Sequence, residues 1–271
     1  MNPVNVDGPL GVPVSNGEID HSPDRCAVLV PCQGRIVGQC QSALLELEKR
    51  GYTVRRVEGY SAIDQARNQI ASDALADGFQ ETLWVDSDVG FDPNDVERIR
   101  RHGLQIVCGI YPKKGKRELA IHILPGTPRL RFGIHGGLHE LLYGGTGFLH
   151  IRRSVYETMI ERLGLPVCNE HAKRPMWPFF LPMVRSAPST GAAVGLSNEG
   201  ATGAGAPMSN RNGHWYLAED FAFCHRARLC GIPIIADTSV RLWHIGDYAY
   251  SWEDAGIDRD RFSDFDFQVS G

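Results

Sequence analysis

Between Cys26 and Gly109 the chain alternates between short apolar runs and stretches of helical periodicity, and this alternation constrains its fold more than any single residue does. Cys26-Ala27-Val28-Leu29-Val30-Pro31 reads as a buried first strand closed by its proline. Ile36, Val37, Cys40, Leu44 and Leu47 then recur at helical spacing, with Gly51 as the stop. Tyr52 to Val57 alternates, as a second strand does. Ser61 to Asp64 has the form of a capping box, and Ile63, Ala66, Ile70, Ala74 and Leu75 make the buried stripe of the helix it opens. Thr82 to Val85 is a third apolar strand and Ile106 to Gly109 another. A βαβαβα order predicts a parallel sheet with right-handed crossovers.

The third strand runs into Asp86-Ser87-Asp88, and Asp92-Pro93 then supplies an N-cap and a first helical residue. Both carboxylates therefore lie at the carboxyl end of a strand, the edge at which open α/β sheets bind ligands. An ionised carboxylate is costly to bury unless it is paired, hydrogen-bonded or on a metal, and two so close repel unless a cation sits between them. Two readings follow. The pair holds a divalent metal and through it a phosphate, or it satisfies backbone N–H groups in a strand-to-helix turn. An EF-hand loop is excluded, because the glycine falls one place early.

The remaining features set bounds. A chain of 271 residues with net charge -4 shows no general nucleic-acid binder. Its 7 cysteines include no C-x-x-C pair and predict buried free thiols in a reducing compartment. No apolar run has membrane-spanning length and the N-terminus lacks a basic segment before an apolar one, so a soluble, cytoplasmic protein is expected. Residues 1–24 read as a loose arm, 25–250 as one domain divided near 110, 186–213 as a flexible Gly/Ala/Ser-rich loop, and 251–271 as a tail. The basic run Lys113, Lys114, Lys116, Arg117 is by default a solvated loop, or else a screen for phosphate charge. Tyr143-Gly144-Gly145-Thr146-Gly147 is a tight turn or a close backbone approach to a ligand. Ser154 is placed to cap a helix that ends at Gly164. Trp177, Phe179 and Phe180 line a pocket or pack in the core, and core packing is the commoner case. Glu219 and Asp220 open a helix, where the dipole favours acidic residues whether or not they do chemistry. His244, beside Trp243, is by default a hydrogen-bonded core residue.

Taken in order, these features resemble the GT-A glycosyltransferases, especially the family 2-like group. The resemblance rests on Asp86-Ser87-Asp88 as the D-x-D motif, Ala66-Arg67-Asn68 upstream, the 143–148 glycine turn, Glu219-Asp220-Phe221 followed by Arg226 and Gly231, and the late Trp243-His244-Ile245-Gly246; it spans roughly residues 25 to 250. It implies a Rossmann-like fold: a mostly parallel central sheet flanked by helices, with a nucleotide-binding half (25–110) and a smaller mixed or antiparallel acceptor half (111–250). It implies transfer of a sugar from a UDP- or GDP-sugar to an acceptor hydroxyl, with Mn²⁺ or Mg²⁺ as cofactor. Asp86, Asp88 and His244 are then the metal residues. Pro31, Arg67, Asp86, Ser87, Gly144 and Gly145 are the donor-binding ones. Asp220, with Glu219 second, is the general base of an inverting reaction; a retaining enzyme needs none in that place. Two alternatives stand beside this: a non-catalytic nucleotide- or carbohydrate-binding protein of the same fold, and a sugar-1-phosphate nucleotidyltransferase. The latter expects a glycine-rich loop where Pro31-Cys32-Gln33-Gly34-Arg35 stands.

Overall fold

The computed structural model describes residues 20–186, 213–255 and 264–268. In chain order its elements are β1 (Cys26–Pro31), α1 (Gly38–Lys49), β2 (Thr53–Val57), α2 (Ile63–Ala76), β3 (Glu81–Val85), β4 (Val89–Gly90), α3 (Pro93–Arg101), β5 (Ile106–Ile110), β6 (His122–Ile123), β7 (Arg129–Gly133), β8 (Leu138–Tyr143) and β9 (Phe148–Arg152). They continue with α4 (Arg153–Leu163), β10 (Met183–Ser186), β11 (His214–Leu217), α5 (Glu219–Leu229), β12 (Ile234–Arg241), β13 (Trp243–Ile245), β14 (Ala249–Tyr250) and β15 (Asp264–Gln268).

An 8-stranded sheet in the order β2-β1-β3-β9-β5-β12-β8-β6 forms the centre. β1 is parallel to β2 and β3, and β5 to β12, as the strand–helix alternation predicts. β9 lies antiparallel between β3 and β5, and β8 antiparallel to both β12 and β6. The sheet is therefore mixed, and the expectation of a mostly parallel one is corrected. The physical reason is β9. Neither β9 nor β8 before it is entered through a helix, and β9, which has β5 and β12 between it and β8, pairs antiparallel with both of its neighbours.

Alternation along the strands divides the core. Cys26, Val28 and Val30 of β1, with Leu83 and Val85 of β3, pack on Cys40, Leu44 and Leu47 of α1 and on Val96 and Ile99 of α3. Ala27, Leu29 and Trp84 face the opposite way, onto Ala66, Ile70 and Ala74 of α2 and onto residues of α4 and α5. Each helix thus buries one stripe against one face of the sheet. Phe179 and Phe180 are fully buried, with Phe180 edge-on to Trp84 at 5.1 Å and stacked on Phe223 at 4.6 Å, so this aromatic pair is core rather than pocket wall.

Caps bear on the local readings. Asp92 accepts from the Asn94 amide at 2.9 Å and Pro93 opens α3, as expected. Ser61 makes no capping box: α2 starts at Ile63 after Ala62 with no side-chain cap, and α4 starts one residue before Ser154, so neither serine serves. Gly164 ends α4 in the left-handed conformation at φ 58°. All seven cysteines are free thiols, and Cys168 alone is not buried. No helix among the described residues is long and apolar enough to cross a membrane.

The expected 186–213 loop lies outside the described residues but for its two end residues, as do residues 1–19 of the expected arm and part of the expected tail. Residues 20–25 are held against the body: Arg100, fully buried, donates to the carbonyl oxygens of His21 at 2.9 Å and Ser22 at 3.0 Å.

Candidate functional site

β1 and β3 end side by side, and their carboxyl ends open into a cleft of about 340 Å³. Pro31, Cys32 and Gln33 come from the end of β1, Asp86, Ser87 and Asp88 from the end of β3, Tyr60 from the loop before α2, Ile63 and Arg67 from the first turns of α2, and Glu219 from the start of α5. Pro31, Arg67, Asp86, Ser87, Asp88 and Glu219 are thus brought together, from elements far apart in the chain.

The turn after β3 satisfies its own backbone. The Asp86 amide donates to the Gly147 carbonyl at 3.1 Å, the Val89 amide to Asp86 at 3.0 Å, the Val37 amide to the Ser87 carbonyl at 2.9 Å and the Ile245 amide to the Asp88 carbonyl at 2.7 Å. The two carboxylates are released from that task. Asp86 Oδ1 accepts from Arg67 Nη2 at 2.8 Å, and Asp88 Oδ2 accepts from Lys114 Nζ at 2.6 Å. The turn-capping reading of this pair is not what the chain does.

Arg67 joins three elements. It is buried on α2, its guanidinium lies over the Trp84 ring at 5.5 Å, and its Nε stands 3.6 Å from Glu219 Oε1. Its Nη1 is buried without a hydrogen-bond partner, an orphaned donor beside the cleft.

His244 reaches the site through β13, which pairs antiparallel with β4, the two residues that follow the D-x-D turn, so that His244 stands opposite Val89. Its Nδ1 lies 2.9 Å from the Pro112 carbonyl oxygen, which only accepts, so that nitrogen carries a proton. Its Nε2 faces Asp88 Oδ2 at 3.7 Å. Burial works to raise the Asp88 pKa, but His244 and Lys114 outweigh it and bring it down to about 2. Among the described residues no three His, Cys, Asp or Glu side chains gather as a metal set, and Asp88 with His244 forms a pair. Lys114 belongs to the basic run and turns back onto the site through Asp88. Lys113 pairs instead with Glu118 at 2.7 Å.

Asp220 sits beside the cleft, one residue past Glu219. Its Oδ1 accepts from the Phe221 amide at 2.7 Å. Burial, then the neighbouring Glu219 carboxylate, push its pKa up to about 7, against the helix-start expectation of a firmly ionised group. The dipole effect is worth only a few tenths to about 1 kcal/mol at such a position, and desolvation exceeds it.

Gly144 and Gly145 are not brought to the cleft wall. A Cβ at Gly144 would stand 2.9 Å from Cys108 Sγ, one at Gly145 2.6 Å from Tyr111 Oη, and one at Gly147 2.5 Å from the same oxygen. None of the three has a positive φ, so they are glycines for closeness rather than for conformation. The turn packs on Tyr111, whose hydroxyl accepts from the Gly147 amide at 2.9 Å and whose ring meets the His244 ring edge-on at 5.2 Å.

Sequence reasoning passed over Tyr111, Tyr60 and Gln33, which sit in loops or at strand ends and carry no periodic signal. It also passed over Glu81, which stands just before the apolar run Thr82 to Val85. Glu81 is 2 % exposed and accepts from Arg100 Nε at 2.7 Å and from His150 Nε2 at 2.8 Å, which makes a buried polar triad under the sheet.

No known protein family and no curated protein matches this chain. Among solved structures, "Crystal Structure of A197 from STIV" is similar, at 16% identity and a TM-score of 0.49 over 85% of this chain and 91% of that one.

Proposed function

We propose that the chain is a metal-dependent glycosyltransferase of the GT-A kind, moving a sugar from a nucleoside-diphosphate sugar to an acceptor hydroxyl. The observation that carries the reading is the convergence of Asp86, Asp88, Arg67 and Glu219 on one cleft at the carboxyl ends of parallel β1 and β3. The donor set suits a hard divalent cation. Mg²⁺ and Mn²⁺ take one or two carboxylates, with waters and substrate phosphate oxygens filling the rest of the shell. Asp88 would hold the ion directly, with His244 Nε2 as second ligand and Asp86 through water. The proton on His244 Nδ1, bonded to the Pro112 carbonyl, keeps Nε2 available when the ring is neutral. The bound cation would neutralise charge on the departing diphosphate.

The other roles fall to the chain's own groups. Arg67 offers its unpartnered Nη1 to the base or the diphosphate. Lys114 exchanges Asp88 for a phosphate oxygen. Asp220, with a pKa near 7, accepts the proton of an acceptor hydroxyl in an inverting reaction. Ser87 and Pro31 shape the donor wall. A non-catalytic nucleotide-binding protein would use the same cleft without turnover.

Calorimetric titration of UDP and GDP with Mn²⁺, and again with EDTA, tests the reading. Binding that needs the metal is expected, and equal affinity in both conditions would remove Asp86 and Asp88 from that role. Release of free sugar or nucleoside diphosphate from a panel of UDP- and GDP-sugars then separates enzyme from binder.

A further inference from the structure

The antiparallel β10–β11 pair brings a cation beside His225 of α5. Arg185 stands opposite Trp215 in the register, and its guanidinium lies over the Trp215 ring at 5.1 Å. Arg185 Nη1 donates to Tyr143 Oη at 2.7 Å and lies 3.5 Å from His225 Nδ1; the Tyr143 hydroxyl is 3.2 Å from that same nitrogen. A guanidinium only donates, so the His225 Nδ1 it faces is an acceptor and the ring proton sits on Nε2. Phe221, four residues before His225, closes the cluster between His122 at 4.3 Å and Tyr143 at 5.6 Å.

Donors are left over here and acceptors are used up. Arg185 Nε is buried without a hydrogen-bond partner, and no carboxylate pairs with Arg185 among the described residues. The charged groups that act on His225 are Arg185, Arg226 and Arg228, and those on His122 are Lys113 and Arg185; every one is a cation. Burial first, and then these cations, hold both imidazoles below their ordinary range, with His122 at about 4. Arg228 has its own acid, Glu140, at 2.8 Å. At neutral pH the cluster is therefore a guanidinium that no carboxylate pairs among the described residues, beside an uncharged imidazole N–H and partly shielded from water. That arrangement recognises a planar or tetrahedral oxyanion, because charge-assisted bonds gain strength where water is excluded.

We propose that Arg185 and the His225 Nε2–H, with Tyr143 holding the two in place, form an oxyanion-binding subsite, which takes a phosphate or carboxylate group carried by the acceptor molecule. The oxyanion assignment stands on these contacts, and the word acceptor rests on the glycosyltransfer reading. His225 follows Asp220 by five residues, about 7.5 Å along the helix axis. The acceptors selected are then anionic ones.

Titrating ¹⁵N-labelled protein with inorganic phosphate and, separately, with acetate tests the subsite, read at the Trp215 indole and the His225 ring. Saturable movement of both signals is expected, and the anion that produces it tells phosphate from carboxylate. Arg185→Gln should weaken that response by roughly tenfold or more, and Arg185→Lys should retain part of it. Signals that stay still with both anions, or that respond equally in Arg185→Gln, overturn the subsite. UDP binding with Mn²⁺, measured on the same samples, keeps the two ideas apart. Its absence from the wild type sinks glycosyl transfer and leaves the Trp215 response intact, whereas UDP binding retained in Arg185→Gln alongside a lost anion response assigns Arg185 to the second site.

Discussion

Arg67 and Asp86 form an ion pair with unlike ends: the guanidinium is 3% exposed and the carboxylate 28%. The cation cannot leave, because α2 packs it under Trp84, while the anion faces the cleft. Arg67 is therefore a buried anchor for a carboxylate that faces the cleft.

Arg67→Met should leave Asp86 and Glu219 facing one another without a cation between them. Breaking a fully buried pair costs about 3–5 kcal/mol, and the water open to Asp86 brings the expected loss to about 2–3 kcal/mol. Urea denaturation at neutral pH measures it. A variant as stable as wild type would show that Arg67 is not the element that joins α2 to the β3 turn and α5.

Asp220 should make the wild type less stable as pH rises. Its folded pKa of about 7 lies above the ordinary 3.8, so between those values the folded chain keeps a proton that the unfolded chain has lost, and stability falls through that window. Asp220→Asn removes the titration. The variant should melt above wild type at pH 8, the gap closing toward pH 4, while any transfer activity falls roughly 10²–10⁴-fold. Melting curves of both proteins across that range decide it; a wild type that melts higher at pH 8 would mean that Asp220 is at ease as an anion.

Glu81 works in the opposite direction. Burial raises its pKa, but His150 and Arg100 donate to it and bring it from 4.5 to about 2. Its contribution is therefore complete above about pH 4.5 and fades as pH falls toward 2. Glu81→Gln leaves Arg100 buried without a carboxylate and should lose about 3–5 kcal/mol at pH 7, with a shallower acid limb below pH 4.5. Chemical denaturation at pH 7 and pH 3 gives both figures, and equal losses at the two values would contradict the linkage.

The Tyr111 hydroxyl should matter to the glycine turn rather than to a ligand. Tyr111→Phe strands the Gly147 amide and should cost about 1–3 kcal/mol. Gly147→Ala drives a methyl toward Tyr111 and should cost a similar amount or more. Adding Tyr111→Phe to Gly147→Ala should relieve little, because the ring carbon Cζ lies only 2.7 Å from the new Cβ. Thermal melts of the three variants check this, and full recovery in the double variant would show that the oxygen alone sets the fit.

Much of this was legible in the residues, and the failures have physical causes. β1 falls on Cys26–Pro31 as read, because six successive residues buried on both faces leave no other pattern. Asp86, Ser87, Asp88, Arg67, Pro31 and Glu219 meet in one cleft because each lies at the end of a strand or in the first turns of a helix that the periodicity locates. The direction of β9 was hidden: Phe148 to Ile151 is buried at every position and reads the same parallel or antiparallel. The link from His244 to the D-x-D turn was hidden too, since β4 is two residues long and too short to show a period. Arg185 stood alone in the sequence, and its histidine, tyrosine and tryptophan neighbours come from α5, β8 and β11.

The central place of β9 also sets an order of events in folding. β3 and β5 are made early but do not touch, and each waits for residues 148–152 to fill the space between them. A nascent chain that has emerged only to β5 therefore carries a bare edge on β3 and a β5 with no partner on either side, a template for joining other chains. The Asp86–Asp88 turn is likewise unsupported until Gly147 supplies the carbonyl for the Asp86 amide. Truncation anywhere before residue 152 should thus give aggregates rather than a working half, and the cleft comes into being only late in synthesis.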